Sequence, residues 1–150
     1  RSDRSGKVLE EKILKAGHKV FEKVFIKDDP KLILNSLKTS LKKIKLNVII
    51  LTGGTGLTGR DSTPEAVKKI LDKEIPGFGE IFRSISYNKI GTSSLQSRAL
   101  GGLAKNKFIF ALPGSPSACK DAWDEILKHQ LDSRTKPCNL VELFPRLTEK

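Results

Sequence analysis

The residues best suited to chemistry are a run of glycines and two aspartates. The stretch Thr52-Gly53-Gly54-Thr55-Gly56-Leu57-Thr58-Gly59-Arg60-Asp61 follows a short apolar run and precedes Pro64. Glycines at such a turn let backbone N–H groups come close to an anion. A carboxylate beside them is a hard oxygen ligand, and Mg²⁺ takes one or two of those together with phosphate oxygens and water. Asp61 closes the loop and Asp28 follows the preceding apolar segment, so together they could hold a metal-bound phosphate chain. Each has a plainer reading. Gly-Gly-x-Gly also makes a tight strand-to-helix turn. Asp61 stands just ahead of a helix start, where an acid is favoured locally. Asp28 could cap a helix, although Asp29 already holds the capping position. The loop has neither the lysine of a P-loop nor dinucleotide spacing.

A second loop, Pro113-Gly114-Ser115-Pro116-Ser117, opens a helix. Free N–H groups at a helix start attract phosphate, and serines there equally serve as caps. Cys119 falls on the first turn of that helix, where a thiol pKa can drop. His18 and His129 both lie near element ends, so no histidine is placed to activate it, and no Ser-His-Asp arrangement is persuasive.

Elements that would position these loops follow from periodicity. A helix is expected over 6–16, stopped by Gly17 in a left-handed conformation. A strand is expected over 18–26, with Val20, Val24 and Ile26 on one parity. Asp29 and Pro30 start an amphipathic helix carrying Leu32, Ile33, Leu37, Leu41 and Ile44. Residues 47–51 form a buried strand. Thr63 as N-cap and Pro64 then start a helix over 64–73. A turn at 76–79 precedes helical patterns over 80–87 and 93–103. A buried strand over 107–112 and a helix containing Ala118, Ala122, Trp123, Ile126 and Leu127 come next, and 133–150 is an irregular tail. This order predicts one α/β domain over 1–150, a three-layer α/β/α sandwich around a mostly parallel sheet. The loops at Asp28, Gly53–Asp61 and Pro113–Ser117 then share the carboxyl edge of that sheet, where ligands of such sheets bind.

Composition narrows the partners. The 150 residues carry 28 Lys and Arg against 17 Asp and Glu, a formal net charge of +11. That favours anionic ligands, yet the lysines are spread along helix faces and aromatic residues are sparse, which argues against nucleic acid. No apolar run approaches a membrane span and no leader pattern is visible. The two cysteines lack metal-ligand spacing and suit a reducing, cytoplasmic setting.

Five blocks, in order, resemble the molybdopterin-binding, molybdenum-cofactor biosynthesis family. They are Thr52–Gly56 with Arg60–Ala66, Pro76–Glu80 with Phe82-Arg83, Gly91–Arg98, Leu112–Ala118, and Leu131–Asn139. The resemblance implies a trimeric or hexameric α/β protein that binds molybdopterin, a pterin bearing a dithiolene and a terminal phosphate. It implies transfer of AMP from Mg-ATP to that phosphate with release of pyrophosphate; the alternative is a non-catalytic binding or carrier protein. Asp28 and Asp61 match the family's Mg-ATP residues. Asp3, Ser5 and Gly6 match a loop lining the pterin-phosphate site, and Ser115 and Ser117 match a helix-start loop facing the same ligand. Arg60, Lys27 and Arg98 are cations that could pair with phosphates. Other molybdenum-cofactor enzymes are expected as partners. The family's first strand, expected just ahead of Asp3, is missing from this chain.

Overall fold

The computed structural model describes residues 3–149. Four strands, β1 (Val48–Thr52), β2 (Lys73–Glu74), β3 (Leu100–Ala104) and β4 (Lys107–Leu112), form one sheet in the order β1-β4-β3-β2. β4 is its centre, buried at every position. Its pleat sends Phe108, Phe110 and Leu112 to one face and Ile109 and Ala111 to the other. The first face packs on α1 (Arg4–Lys15), α4 (Pro76–Ile90) and α5 (Pro116–Ala122), through Leu9, Phe78, Phe82, Cys119 and Ala122. The second packs on α2 (Pro30–Leu41) and α3 (Thr63–Lys68), through Ile33, Leu37, Leu41, Ala66 and Val67. The α/β/α layering is therefore as the sequence predicts.

Within it the sheet is mixed rather than mostly parallel. β1 runs parallel to β4, whereas β3 is antiparallel to both β4 and β2. The antiparallel part comes from a hairpin whose two turn residues, Lys105 and Asn106, have φ of 49° and 64°. Positive φ at both central residues is what a tight hairpin needs. The helix expected over 93–103 is accordingly replaced by a 3₁₀ turn (Gly91–Gln96) followed by β3. Pro76, expected in a turn, is instead the first residue of α4, where its missing N–H costs nothing. The helix expected over 64–73 stops at Lys68, and Lys73–Glu74 joins the sheet edge.

Gly17 ends α1 with φ of 91°, and the Asp29 carboxylate caps α2 by accepting from the Lys31 and Leu32 amides. The strand expected over 18–26 is not formed: residues 18–27 join no ladder. A cavity of about 330 Å³ separates them from β1, lined by Val20, Val24 and Ile26 on one side and Val48, Ile50 and Thr52 on the other. Asp3, Asp28, Thr52 and Gly53 line it as well.

The helix from Pro116 continues through a π-turn (Trp123–Leu127) into α6 (Lys128–Gln130). The tail expected to be irregular contains a 3₁₀ turn (Val141–Arg146) whose Phe144 meets the Phe108 ring edge-on at 5.2 Å. Asn139 organises this segment: its amide donates to the Ser133 and Thr135 carbonyls and its oxygen accepts from the Glu142 amide. Lys150, the end of that expected tail, lies outside the described residues, as do Arg1 and Ser2 of the expected domain.

Candidate anion-binding site

The site begins where β1 ends. The Gly53 N–H donates to Leu112 O at 2.9 Å, which carries the β1–β4 pairing one residue past the strand. The chain then turns through Gly53 and Gly54 with φ of 102° and 70°. Two successive positive φ values explain why both positions are glycine. Thr63 closes the turn. Its hydroxyl donates to Gly53 O at 2.9 Å and its N–H donates to Gly54 O at 3.1 Å. Expected as the N-cap of α3, Thr63 is instead the staple of the loop; Ser62 stands at the cap position and its side chain caps nothing.

A second half of the loop wraps around Asp61. The Thr58 N–H and hydroxyl both donate to Asp61 Oδ2, at 2.9 and 2.8 Å. Those bonds, with smaller help from the Gly56 amide and Arg98, hold the Asp61 carboxyl below the usual aspartate range. Because the folded carboxyl ionises more readily than in the unfolded chain, these bonds stabilise the fold above the ordinary aspartate pKa. The contribution disappears as pH falls through the lower folded value. Acid titration followed by amide NMR is expected to show the Thr58 N–H resonance moving at a pH below the normal aspartate midpoint. A Thr58 titration at or above that midpoint contradicts the geometry.

Taken together, the loop is polarised. The carbonyls of Gly53, Gly54, Thr55, Gly56, Thr58 and Asp61 all accept hydrogen bonds from within the protein. By contrast, the N–H groups of Gly54, Thr55, Leu57, Gly59 and Arg60 have no protein acceptor among the described residues. Thr55 is only 3 % exposed, and a buried N–H without an acceptor is a rarity that native structures otherwise avoid. A surface with its acceptors tied back and its donors left over is suited to an anion.

The neighbouring loop packs directly against this one. The Thr52 hydroxyl donates to Pro113 O at 2.9 Å, and a Cβ on Gly114 would stand 3.3 Å from Gly53 Cα. The Cys119 thiol donates to the same Pro113 O at 3.4 Å, and its Sγ lies 3.2 Å from the Thr52 hydroxyl. Burial pushes the Cys119 thiol up, against a smaller opposing pull from Thr52. It stays protonated at neutral pH, so the expectation that it is no nucleophile stands on its surroundings. Native protein should therefore release one rapid equivalent with a thiol reagent, from exposed Cys138, and the second only on unfolding. Two rapid equivalents would contradict the packing around Cys119.

The expected site residues divide into groups. Asp3, Gly6, Asp28, Thr52 and Gly53 line one end of the cavity. Gly54, Thr55, Gly56 and Asp61 belong to the adjoining glycine loop and do not line it. Asp3 is engaged within the protein: Oδ1 accepts from the Gly6 N–H at 3.1 Å, and Lys23 Nζ sits 3.0 Å from Oδ2. The Lys23 contact, followed by the Gly6 bond, keeps the Asp3 carboxyl below its ordinary value against the cost of burial. Ser5 lies in the first turn of α1. The Ser115 hydroxyl accepts from the Ala118 N–H at 3.1 Å as an ordinary cap, and Ser117 is exposed as the second residue of α5. Asp28 is exposed and has no hydrogen-bond partner among the described residues, because Asp29 does the capping.

Thr58 and Thr63 shape the loop in a way that periodicity could not reveal. Their roles depend on the loop closing on itself, and the only sequence signal is two threonines spaced around Asp61. Arg98, one of the cations expected to pair with phosphates, is bound into the loop. Its guanidinium meets Gly56 O at 2.9 Å, Asp61 O at 2.9 Å and the Glu65 carboxylate, all within the protein.

The donor chemistry fits Mg²⁺. Both Thr58 bonds fall on Asp61 Oδ2, which leaves lone pairs on Oδ1 of an ionised carboxylate, and Asp28 is uncommitted. No group of three or more His, Cys, Asp or Glu side chains that could hold a metal occurs among the described residues. A hard cation on Asp61 would complete its shell with ligand oxygens and water.

Comparison with known proteins shows the family. Residues 1–133 match the family described as a probable molybdopterin binding domain. Molybdenum cofactor biosynthesis protein B of Escherichia coli K12 is 45 % identical over 137 residues, covering 91 % of this chain and 81 % of the relative. A crystal structure of a molybdenum cofactor biosynthesis protein B superposes with a TM-score of 0.84 at 43 % identity, covering 87 % of this chain and 84 % of that one. The tungsten cofactor synthesizing protein MoaB from Pyrococcus furiosus gives 0.76 at 37 % identity, with 87 % and 82 % covered.

Proposed function

Because the chain belongs to the molybdenum-cofactor biosynthesis family of molybdopterin-binding domains, we propose that it binds molybdopterin and adenylylates its terminal phosphate. The family places the chain in molybdenum cofactor biosynthesis. The reaction itself is our reading of the site. A pterin-phosphate oxygen attacks the α-phosphorus of ATP; the new P–O bond forms as the bond to the β-phosphate oxygen breaks, and pyrophosphate leaves with that electron pair. Such chemistry asks the protein for positioning and charge stabilisation more than for a nucleophilic side chain. That suits a site whose one nearby thiol is buried and protonated.

The single observation carrying this reading is the polarised glycine loop, with N–H donors on Gly54, Thr55, Leu57, Gly59 and Arg60 free for phosphate oxygens. A bound Mg²⁺ supplies charge neutralisation to the leaving pyrophosphate, and Asp28 and Asp61 are the carboxylates that would hold it. Thr52, Gly53, Pro113 and Gly114 bring the second loop against the first, so both can border one ligand. Asp3, Ser5, Gly6, Ser115 and Ser117 would shape the pterin-phosphate end. In that role Asp3 acts by fixing the start of α1 through Gly6.

Mixing the protein with ATP, Mg²⁺ and molybdopterin, and assaying pyrophosphate, tests the proposal. Pyrophosphate formed in step with adenylylated pterin supports it. Pterin binding without any pyrophosphate favours the carrier reading, in which the two carboxylates have no catalytic use.

A homo-oligomer, trimer or hexamer, belongs to the same proposal. Ile81, Tyr87 and Ile90 on α4 and Leu95 beyond it are large, apolar and exposed, and apolar surface of this kind is suited to a neighbouring copy. Other enzymes of molybdenum-cofactor assembly are the partners to which a bound product would pass. No helix among the described residues is long and apolar enough to cross a membrane, and we place the reaction in the cytoplasm.

A further inference from the structure

We infer that Arg98 is a positioning residue that orients the second half of the glycine loop, from the Gly56 and Leu57 amides on, held in place by a bracket built from α4. This rests on reading the loop as an anion receiver, and it gives a physical role to Gly79, Arg83 and Arg98.

The argument starts from where the carbonyls go. Six loop carbonyls are tied back into the protein, and Arg98 holds three of them. Its backbone N–H donates to Thr55 O at 3.0 Å, its Nε to Gly56 O at 2.9 Å, and its Nη2 to Asp61 O at 2.9 Å. Turning a peptide's carbonyl to one side turns the N–H of the following residue to the other, because the peptide unit is planar and trans. Holding Thr55 O and Gly56 O on the Arg98 side therefore fixes which way the Gly56 and Leu57 amides face, while the Gly54 and Thr55 amides follow the Thr63 bonds to Gly53 O and Gly54 O. The third arm of the guanidinium meets Glu65 on the first turn of α3, which fixes the plane of the fork. Lysine cannot reproduce this: it has one point of charge where three directed acceptors must be met.

Arg98 is itself anchored. Arg83 on α4 donates to the carbonyls on either side of it, Ser97 O at 3.4 Å and Ala99 O at 3.0 Å. That contact requires Gly79, because a Cβ there would stand 2.6 Å from Arg83 Nη2 and 2.7 Å from Ala99 O. The chain of contacts runs Gly79, Arg83, segment 97–99, Arg98, glycine loop. With three of its five guanidinium N–H groups so occupied, Arg98 is held against the loop's carbonyls, and the amides are left to meet the anion.

The test compares wild-type protein with Arg98→Lys, Arg98→Ala and Glu65→Ala. Two readouts are needed: binding of inorganic pyrophosphate by calorimetry, and hydrogen exchange of the Asp61 and Thr63 amides without ligand. Positioning predicts that Arg98→Lys loses about tenfold in pyrophosphate affinity, nearly as much as Arg98→Ala, with faster exchange at both amides. Glu65→Ala, at an exposed side chain that the fold tolerates, shows a smaller loss in the same direction. Near-full binding by Arg98→Lys with unchanged exchange overturns the inference and makes Arg98 a simple charge. If the wild type fails to bind pyrophosphate, the anion reading of the loop falls. Exchange then still decides the role of Arg98: unaltered amides in Arg98→Lys and Glu65→Ala refute it, and faster amides sustain it.

Discussion

Asp61→Asn will lower pyrophosphate release from ATP, Mg²⁺ and molybdopterin by about a hundredfold or more, which is the scale on which a preorganised charge contributes to a charged transition state. Asparagine is the informative replacement because Asp61 has two duties. Its Oδ2 accepts from the Thr58 N–H and hydroxyl and so shapes the loop; an amide oxygen can still accept both bonds. What is removed is the negative charge that our reading assigns to Mg²⁺. Molybdopterin affinity should change less than threefold, since neither loop half opens. Alanine would remove charge and shape together, and its larger loss could not be divided between them. Turnover by Asp61→Asn within a few-fold of wild type would remove the metal assignment. Loss of pterin binding along with turnover would show that Asp61 acts on the fold of the site.

The second large effect concerns Gly54. Gly54→Ala places a Cβ 2.4 Å from Thr63 Oγ1 at a residue with φ of +70°. The clash falls on the hydroxyl that staples Gly53 O, so the staple must break or the turn must flatten. A non-glycine residue in the left-handed region adds roughly 1–2 kcal/mol. The expected result is loss of nucleotide and pterin-phosphate binding to below detection, with a fall in stability of about 2 kcal/mol. The fold should persist, because the core around Phe108, Phe110 and Ile109 lies away from the turn. Calorimetric binding and chemical denaturation together check this. A variant that binds normally would show that the turn's conformation is unimportant to the ligand.

What the sequence revealed, and what it hid, follows physical lines. Local chemistry was legible. Asp29-Pro30 starts α2, Gly17 stops α1, and the apolar run 107–112 is the buried centre of the sheet, because caps, left-handed glycines and continuous apolar strands each leave a short-range mark. The glycine loop was legible for the same reason. The β3–β4 hairpin was hidden because its turn, Lys105-Asn106, has no glycine, while Leu95, Leu100 and Leu103 imitate a helical stripe. Pro76 read as a turn because proline marks both loops and first helical residues, and only the packing of Phe78 and Phe82 under the sheet decides between them. Residues 18–26 have the alternation of a strand, but a strand is defined by its ladder, and a cavity lies where the ladder would be. Thr63 was misassigned for a related reason: its hydroxyl acts on a carbonyl that only the folded loop presents.

The central claim is that the N–H groups of one polarised loop receive the phosphate chain. Amide chemical shifts in a titration of ¹⁵N-labelled protein with Mg-ATP test it most directly. The account predicts that Gly54, Thr55, Leu57, Gly59 and Arg60 N–H resonances shift most and saturate together. Saturating shifts confined to other surfaces, with those five amides unmoved, would contradict it.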